Sequence, residues 1–278
     1  RVWEASGHVS EFHDPLVDCK QCKARYRADE LVANIEDADW NQVKCSKCGT
    51  TGKMTSPRQF NLMFETHVGP VEESSSVAYL RPETAQGIYV NYQLVQGAMR
   101  MKIPFGIAQT GKAFRNEIVA RQFIFRMREF EQMEMQFFVR PGDELKWYEH
   151  WKETRLKWHL SLGLGEENYR FHEHDNLAHY ANAAADIEFK FPFGFKELEG
   201  IHSRTDFDLK AHEEYSGKKL QFFDPELNES YVPYVVETSI GLDRMFLAVL
   251  SHSLQEETLE DGSERTVLKL PFILAPVK

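Results

Sequence analysis

The chain is expected to fold as an α+β protein: a mainly antiparallel sheet flanked by helices, with a small cysteine-bearing insertion near its start. Three observations predict this. Strand-like stretches come in runs rather than alternating regularly with helices, which favours antiparallel pairing. The four cysteines fall as two C-x-x-C pairs, Cys19/Cys22 and Cys45/Cys48, in one short segment. Neither G-x-G-x-x-G nor G-x-x-x-x-G-K-[ST] occurs, so neither a dinucleotide-binding fold nor a P-loop handles phosphates here.

In chain order, residues 1–16 read as an opening strand and turn, and 17–57 as the insertion, with a helical stretch over 28–36 and Pro57 closing it. Residues 60–70 read as a strand, followed by the polar serine loop 72–76, a candidate mobile segment. Helical periodicity over 83–101 rests on Ile88, Val90, Leu94, Val95 and Met99. A hairpin is expected over 111–134. Pro141-Gly142 is a start signal for a helix over 143–162, with Leu145, Tyr148, Trp151, Leu156 and Trp158 as its buried stripe. Strand character returns over 186–200, residues 206–213 are mixed, and 217–225 reads as a hairpin. Residues 254–266 form a charged loop with Asp261-Gly262 at its tip, read as a surface hairpin turn.

A chain of 278 residues can bury one large domain plus a small insertion. Its 42% hydrophobic and 13% aromatic content argues against disorder. No stretch approaches the roughly 18 apolar residues of a membrane span. The opening RVWEASGHVS lacks the basic-then-apolar pattern of an export signal, so a cytoplasmic location is expected. A start without Met suggests part of a longer protein. Without an export signal, two C-x-x-C pairs read as a thiolate zinc site rather than disulfides, closed and structural because no ligand position is left for water. Lys20, Lys23, Lys44 and Lys47 offset the thiolate charge. A redox C-x-x-C or free thiols are the alternatives. The domain reading is therefore a core of 1–16 and 58–278 interrupted by a zinc-ribbon-like insertion at 17–57.

The hairpin carries the most chemistry. Side chains alternate across a strand, so Arg115 and Glu117 would share one face of the first strand. Arg126, Arg128, Phe130, Gln132 and Glu134 would share one face of the second. Guanidinium groups suit phosphate oxygens, a ring suits base stacking, and a carboxylate suits an amino group. A solvated face with cross-strand ion pairs is the other reading of the same residues.

The order F-R-x-E, loop, R-x-x-x-F-x-x-x-E resembles motif 2 of the class II aminoacyl-tRNA synthetases. The run VPYVVETSIGLDRMFLAVL, with Gly241 and Arg244, resembles their motif 3. Tyr79–Gly87 (YLRPETAQG), Trp3–His8 (WEASGH), Glu199-Gly200-Ile201, Arg204–Leu209 (RTDFDL) and Glu237-Thr238-Ser239 narrow the likeness to the glycine-specific branch, almost end to end. The resemblance implies a class II antiparallel sheet flanked by helices. It also implies ATP-dependent ligation of glycine to tRNA(Gly) through a glycyl-adenylate. Arg115 and Arg244 are implied as catalytic, gripping the α- and γ-phosphates. Asn116, Glu117, Arg126, Phe130, Arg204 and Glu237 are implied to join them at ATP, with Phe130 stacking on adenine and Glu117 accepting from its amine. Glu83, Glu134, Glu237 and Ser239 are implied to meet glycine. Magnesium neutralises the triphosphate, with Glu237 or a nearby acid helping, and zinc is structural at Cys19, Cys22, Cys45 and Cys48.

Each residue also has a plainer reading: Arg115 and Arg244 as simple ion pairs, Phe130 as packing, Glu83 as a helix N-terminal acid. His8, His67 and His179 read as satisfied polar packing. The net charge of −10 does not by itself point to a nucleic-acid partner, so a local basic patch or a further domain must meet the tRNA acceptor end. The family's motif 1, a helix–strand element at the dimer interface, shows no clear counterpart and is expected upstream of Arg1. An anticodon-binding domain is expected beyond Lys278, and a homodimer for the full-length protein. Rival readings are a class II-like accessory subunit without catalysis, an adenylate-forming ligase with another acceptor, and an RNA-binding ribbon.

Overall fold

The computed structural model describes residues 1–71, 73, 76–120 and 123–277. Contacts divide the chain into two compact units. The first comprises Trp3–Glu83 and Ala113–Glu129, with Arg1; the second comprises Thr84–Lys112 and Phe130–Lys278, with Val2.

In the first unit, two short helices, α1 (Val2–Ala5) and α2 (His8–Glu11), stand where an opening strand was expected. β1 (His13–Asp18) then pairs antiparallel with β2 (Arg25–Arg27) and β3 (Arg58–Asn61). Val17, Tyr26, Ala28 and Met54 pack with Cys19 and Cys45 into a small core of their own. The helix expected over 28–36 is only a 3-10 turn, Ala28–Glu30. Asn34 explains the stop: its Oδ1 accepts the Glu36 and Asp37 amides, a local alternative to helical bonding. The strand expected over 60–70 is split into β3 and β4 (Glu65–His67). Asn61 Oδ1 takes the Met63 amide at the break, and β4 pairs with β5 (Val77–Tyr79). Of the serine loop, residues 72, 74 and 75 lie outside the described residues.

The second unit opens with α3 (Ala85–Met99), which runs through Pro104 into β6 (Phe105–Phe114). α3 and β6 thus form a helix–strand element. The face of α3 differs from the expected one. Ala85, Ile88, Tyr89 and Tyr92 are buried at helical spacing, while Val90, Leu94 and Met99 are exposed. Two tyrosine rings outweigh the smaller aliphatic stripe: Tyr92 packs against Phe105 and Phe138, with centroids 6.0 and 4.6 Å away.

β7 (Glu129–Val139), α4 (Glu144–Ser161), β8 (Tyr169–Glu173), β9 (Ala183–Phe191) and β10 (Gly194–Thr205) follow. Residues 206–213, mixed in sequence, belong to α5 (Phe207–Ser216). The 217–225 hairpin is shifted onward to β11 (Phe222–Asp224) and β12 (Glu229–Tyr231). β13 (Tyr234–Gly241) leads into α6 (Leu242–Ser253). The charged loop is a hairpin, β14 (Leu254–Thr258) and β15 (Glu264–Leu268), turning at Asp261-Gly262.

Six strands form one sheet in the order β6-β7-β13-β10-β9-β8, antiparallel from β7 through to β8. Helices cover both faces. Tyr89 of α3 and Leu209 of α5 pack on the Gln136/Phe138 face. On the other, Phe137 packs against Trp147 and Trp151 of α4. The α4 stripe was only half legible, since Tyr148 is buried but Leu145 and Trp158 are exposed. Buried Glu199 explains the difference: Arg155 and His159 face the sheet, at 2.5 and 2.7 Å from its carboxylate. Among the described residues, no helix is long and apolar enough to cross a membrane.

Candidate active site and thiolate cluster

The register of β7, β13, β10 and β9 builds two polar rows on the face that α3 covers. Glu134 lies opposite Ser239, Ser239 opposite Gly200, and Gly200 opposite Asp186. Two residues along, Gln136 lies opposite Glu237 and Glu237 opposite His202. Directly opposed residues share a face, with Cβ atoms about 4.5–5.5 Å apart. Glu134, Glu237 and Ser239 are thus neighbours on one surface. All but Ser239 of this trio are nearly inaccessible.

Burial of carboxylates at this density requires partners. Glu134 accepts the Thr84 backbone amide at 2.9 Å and the Thr84 hydroxyl, which sets an anion on the N-terminus of α3. Glu237 accepts Gln136 Nε2 at 2.6 Å, and Gln136 in turn accepts Tyr89 Oη–H at 2.7 Å. Arg204 NH1 lies 3.1 and 3.3 Å from the Glu237 oxygens, while its Nε and NH2 fork onto Asp208 at 2.8 and 3.0 Å. Asp208 also accepts Gln86 Nε2, and Gln86 Oε1 lies 2.7 Å from His212 Nε2. Arg204, expected at ATP, is buried between two carboxylates and over the Tyr180 ring, 4.2 Å from its centroid. As placed, it bridges Glu237 to Asp208. Thr84, Gln86 and Asp208 lie in stretches quoted for the resemblance but received no role there, and Gln136 and His202 were not named from sequence. The signal for the last two was polar residues at inward positions of β7 and β10.

Beyond Glu237, burial works to lower His202, but the Glu237 carboxylate outweighs it and carries the imidazole above its ordinary value. Burial pushes Asp186 up, reinforced by Glu197. Arg244 sits in the first turn of α6, as motif 3 implies. Its NH1 lies 3.0 and 3.1 Å from the Glu197 carbonyl and carboxylate.

In the first unit, the hairpin differs from the expected alternation. β6 ends at Phe114, and the Glu117 amide turns back on the Arg115 carbonyl at 2.7 Å. The second strand starts at Glu129, so only Phe130, Gln132 and Glu134 share a strand face. Arg126 is exposed, and Arg128 donates to the Glu117 carbonyl at 3.1 and 3.3 Å. The Arg115 amide bonded to the Arg128 carbonyl, 3.0 Å, closes this loop and ends the ladder. Arg115 donates from Nε to the Pro82 carbonyl at 3.1 Å and lies over the Phe12 ring. The Asn116 amide is fixed on the Leu62 carbonyl, and Glu117 is buried. Glu83 lies 3.4 Å from His8 Nε2, whose ring also meets Ser6 Oγ at 2.8 Å.

The four cysteine sulfurs all lie within 4.8 Å of one another, with Cys19–Cys48 at 3.7 Å and Cys22–Cys45 at 3.6 Å. Those spacings exceed a disulfide of about 2.05 Å. They fit the edge of about 3.8 Å that four sulfurs 2.3 Å from a tetrahedral ion would have. Both knuckles have one backbone design. Lys23 N donates to Cys19 O and Gly49 N to Cys45 O, each from a left-handed residue, at φ 58° and 73°. Tyr26 Oη, 3.3 Å from Cys45 Sγ, brings that thiol down to about 6. The cluster is compatible with a metal site.

Residues 63–253 match the family described as "tRNA synthetase class II core domain (G, H, P, S and T)". The whole chain aligns, at 51% identity, with a protein of Geobacillus thermodenitrificans described as "Glycine--tRNA ligase", covering 64% of that protein. A protein of Treponema denticola with the same description is 54% identical over the whole chain, which covers 62% of it. The chain therefore spans less than two thirds of the length of these relatives. Among solved structures, a Giardia lamblia prolyl-tRNA synthetase in complex with prolyl-adenylate superposes with a TM-score of 0.52 at 17% identity. That match covers 68% of this chain and 37% of the other, and it bears on the fold alone.

Proposed function

Because the chain belongs to the class II tRNA synthetase core family, we propose that it is the adenylating core of a glycine–tRNA ligase. In the first step the glycine carboxylate attacks the α-phosphate of ATP, forming glycyl-adenylate and releasing pyrophosphate. In the second, the 3′ end of tRNA(Gly) attacks the adenylate carbonyl and AMP leaves. The observation that carries this reading is the shared face of Glu134, Glu237 and Ser239. Two buried carboxylates and a hydroxyl suit an ammonium group. The 51–54% identity to glycine–tRNA ligases supports glycine as the occupant. Excluding alanine then needs a clash with one methyl. That is an easier task than rejecting a smaller substrate, where a missing methylene is worth about 1–3 kcal/mol.

Neither step needs a side-chain nucleophile, so positioning and charge stabilisation do the work. Arg115 would hold the α-phosphate and Arg244, in a helix first turn, the γ-phosphate. Phe130 would stack on adenine, Glu117 would accept from its amine, and Asn116 and exposed Arg126 would complete the ATP contacts. Glu83, held by His8, would add a third carboxylate for the ammonium. Magnesium would supply charge neutralisation of the triphosphate.

Cys19, Cys22, Cys45 and Cys48 would hold a structural Zn²⁺ within the insertion 17–57, set into a core of 1–16 and 58–278. The whole protein would act as a cytoplasmic homodimer, a reading supported by the helix–strand element α3–β6 with its exposed Val90, Leu94 and Met99. Exchange of labelled pyrophosphate into ATP tests the function. It should depend on glycine, and a folded protein that exchanges equally without glycine or not at all would overturn it.

A further inference from the structure

Glu237 is held by more than the Arg204 fork, and the additional contact comes from a residue with no role in the reading above. His202 lies directly opposite Glu237 on β10, with its Nδ1 3.2 Å from Glu237 Oε1. That is closer than the 3.3 Å from Arg204 NH1 to the same oxygen. Nδ1 is fully buried and makes no hydrogen bond of good geometry, so its tie to Glu237 is this close imidazole–carboxylate approach, and the ring as a whole keeps 22% exposure.

The ring is fitted to the strand beneath it. A Cβ on Gly200 would stand 2.8 Å from His202 Cε1 and 3.5 Å from Asp186 Oδ1. The imidazole therefore occupies the space that any side chain at position 200 would take, in the row that holds Ser239 and Glu134. Gly200 has ordinary backbone angles, so its need for glycine is steric, set by this ring. The groups facing His202 are Glu237 from β13, Arg204 from its own strand, Asp186 from β9 and His174, the residue just after β8, whose ring centroid is 6.3 Å away. His174 is itself tied to Asp186 at 2.9 Å, so the ring is backed on the side away from Glu237.

We propose that His202 is a positioning residue of the amino-acid site: seated on Gly200, its imidazole fixes the Glu237 carboxylate on the face that carries Ser239 and Glu134. The proposal rests on the reading that these three residues meet the substrate ammonium. Gln136 restrains one oxygen of Glu237 and His202 the other. Removing the imidazole leaves Arg204 without a counterweight at Oε1, so the carboxylate shifts toward Arg204 and away from the substrate.

Glycine-dependent ATP–pyrophosphate exchange tests this with His202→Ala, His202→Asn and Gly200→Ala. Loss of the close imidazole–carboxylate contact should raise the glycine KM about tenfold in His202→Ala, leaving kcat and the ATP KM within about twofold. Asn, whose amide nitrogen stands where Nδ1 does, should restore the glycine KM to within about threefold. Gly200→Ala, which displaces the ring without altering it, should reproduce the His202→Ala defect. A merely structural histidine would instead lower stability and alter both KM values together, with no rescue by Asn. An unchanged glycine KM in a folded His202→Ala protein, beside a raised one in Glu134→Gln, would overturn the inference and leave the function standing. Absence of glycine-dependent exchange in the unsubstituted chain would overturn both.

Discussion

Arg204 separates two accounts of the same sequence motif, and replacing it with Met distinguishes them. In the structure the guanidinium joins Glu237 to Asp208 through four contacts of 2.8–3.3 Å, all buried. Removing one partner of such a pair typically costs about 3–5 kcal/mol, because the remaining charges stay buried. Both carboxylates keep other partners, Gln136 and His202 for Glu237 and Gln86 for Asp208. The lower end of that range is therefore expected. For a unit of this size, about 3 kcal/mol lowers the unfolding midpoint by roughly 6–12 °C. Arg204→Lys keeps the charge but cannot span both carboxylates with a planar fork, so it should recover only part of the loss. Thermal unfolding by circular dichroism measures this, and ATP and glycine KM values at a temperature where the variant is folded complete it. The glycine KM should rise more than the ATP KM, since Glu237 is what Arg204 holds. An unchanged midpoint with a selective rise in the ATP requirement would refute the reasoning and return Arg204 to the phosphates.

Arg115→Ala should lower exchange by about a hundredfold or more, the usual cost of losing a donor at the reacting centre, with the fold intact by circular dichroism; near-normal exchange would remove Arg115 from the reaction. The purified protein should contain one Zn²⁺ per chain by elemental analysis, and Cys45→Ser should release it while β6–β13 stay protected from hydrogen exchange. Metal-free protein with four freely titrating thiols would refute the site. Glu134→Gln should raise the glycine KM well above any change for ATP, because Gln can still accept the Thr84 amide and the fold is spared. Ser239→Ala should be milder, losing a neutral hydrogen bond worth about 0.5–1.5 kcal/mol; equal loss of ATP and glycine binding in Glu134→Gln would mean a disturbed strand rather than a lost ligand.

The long elements were legible because their patterns are strong: the Pro141-Gly142 start before α4, the polar-apolar alternation of β7, and the β-rich run that ends at Gly241 before α6. What failed was decided by side chains that local pattern cannot weigh. Tyr89 and Tyr92 turned α3 onto a face that aliphatic counting put in solvent. Asn34 and Asn61 ended a helix and a strand by bonding their own backbone. Arg128 looked like one more strand position, but it folds back on the Glu117 carbonyl. Glu134, Glu237 and Ser239 were grouped, with Glu83, by the family resemblance; alternation alone places only Glu237 and Ser239 on one face, and the β7–β13 register brings Glu134 beside them. Their supports were not grouped with them, since Gln86, His202 and Asp208 reach them across large separations in the chain. The cysteine cluster was fully legible, because two C-x-x-C knuckles are local and the left-handed turn at Lys23 mirrors the one at Gly49.

The central claim is that this chain activates glycine and no other amino acid. Incubation with ATP, magnesium and an equimolar mixture of the twenty amino acids, followed by mass analysis of the enzyme-bound products, tests it directly. The account predicts glycyl-adenylate as the single acyl-adenylate formed, together with released pyrophosphate. A different acyl-adenylate, several in comparable amounts, or none from a folded protein would contradict it.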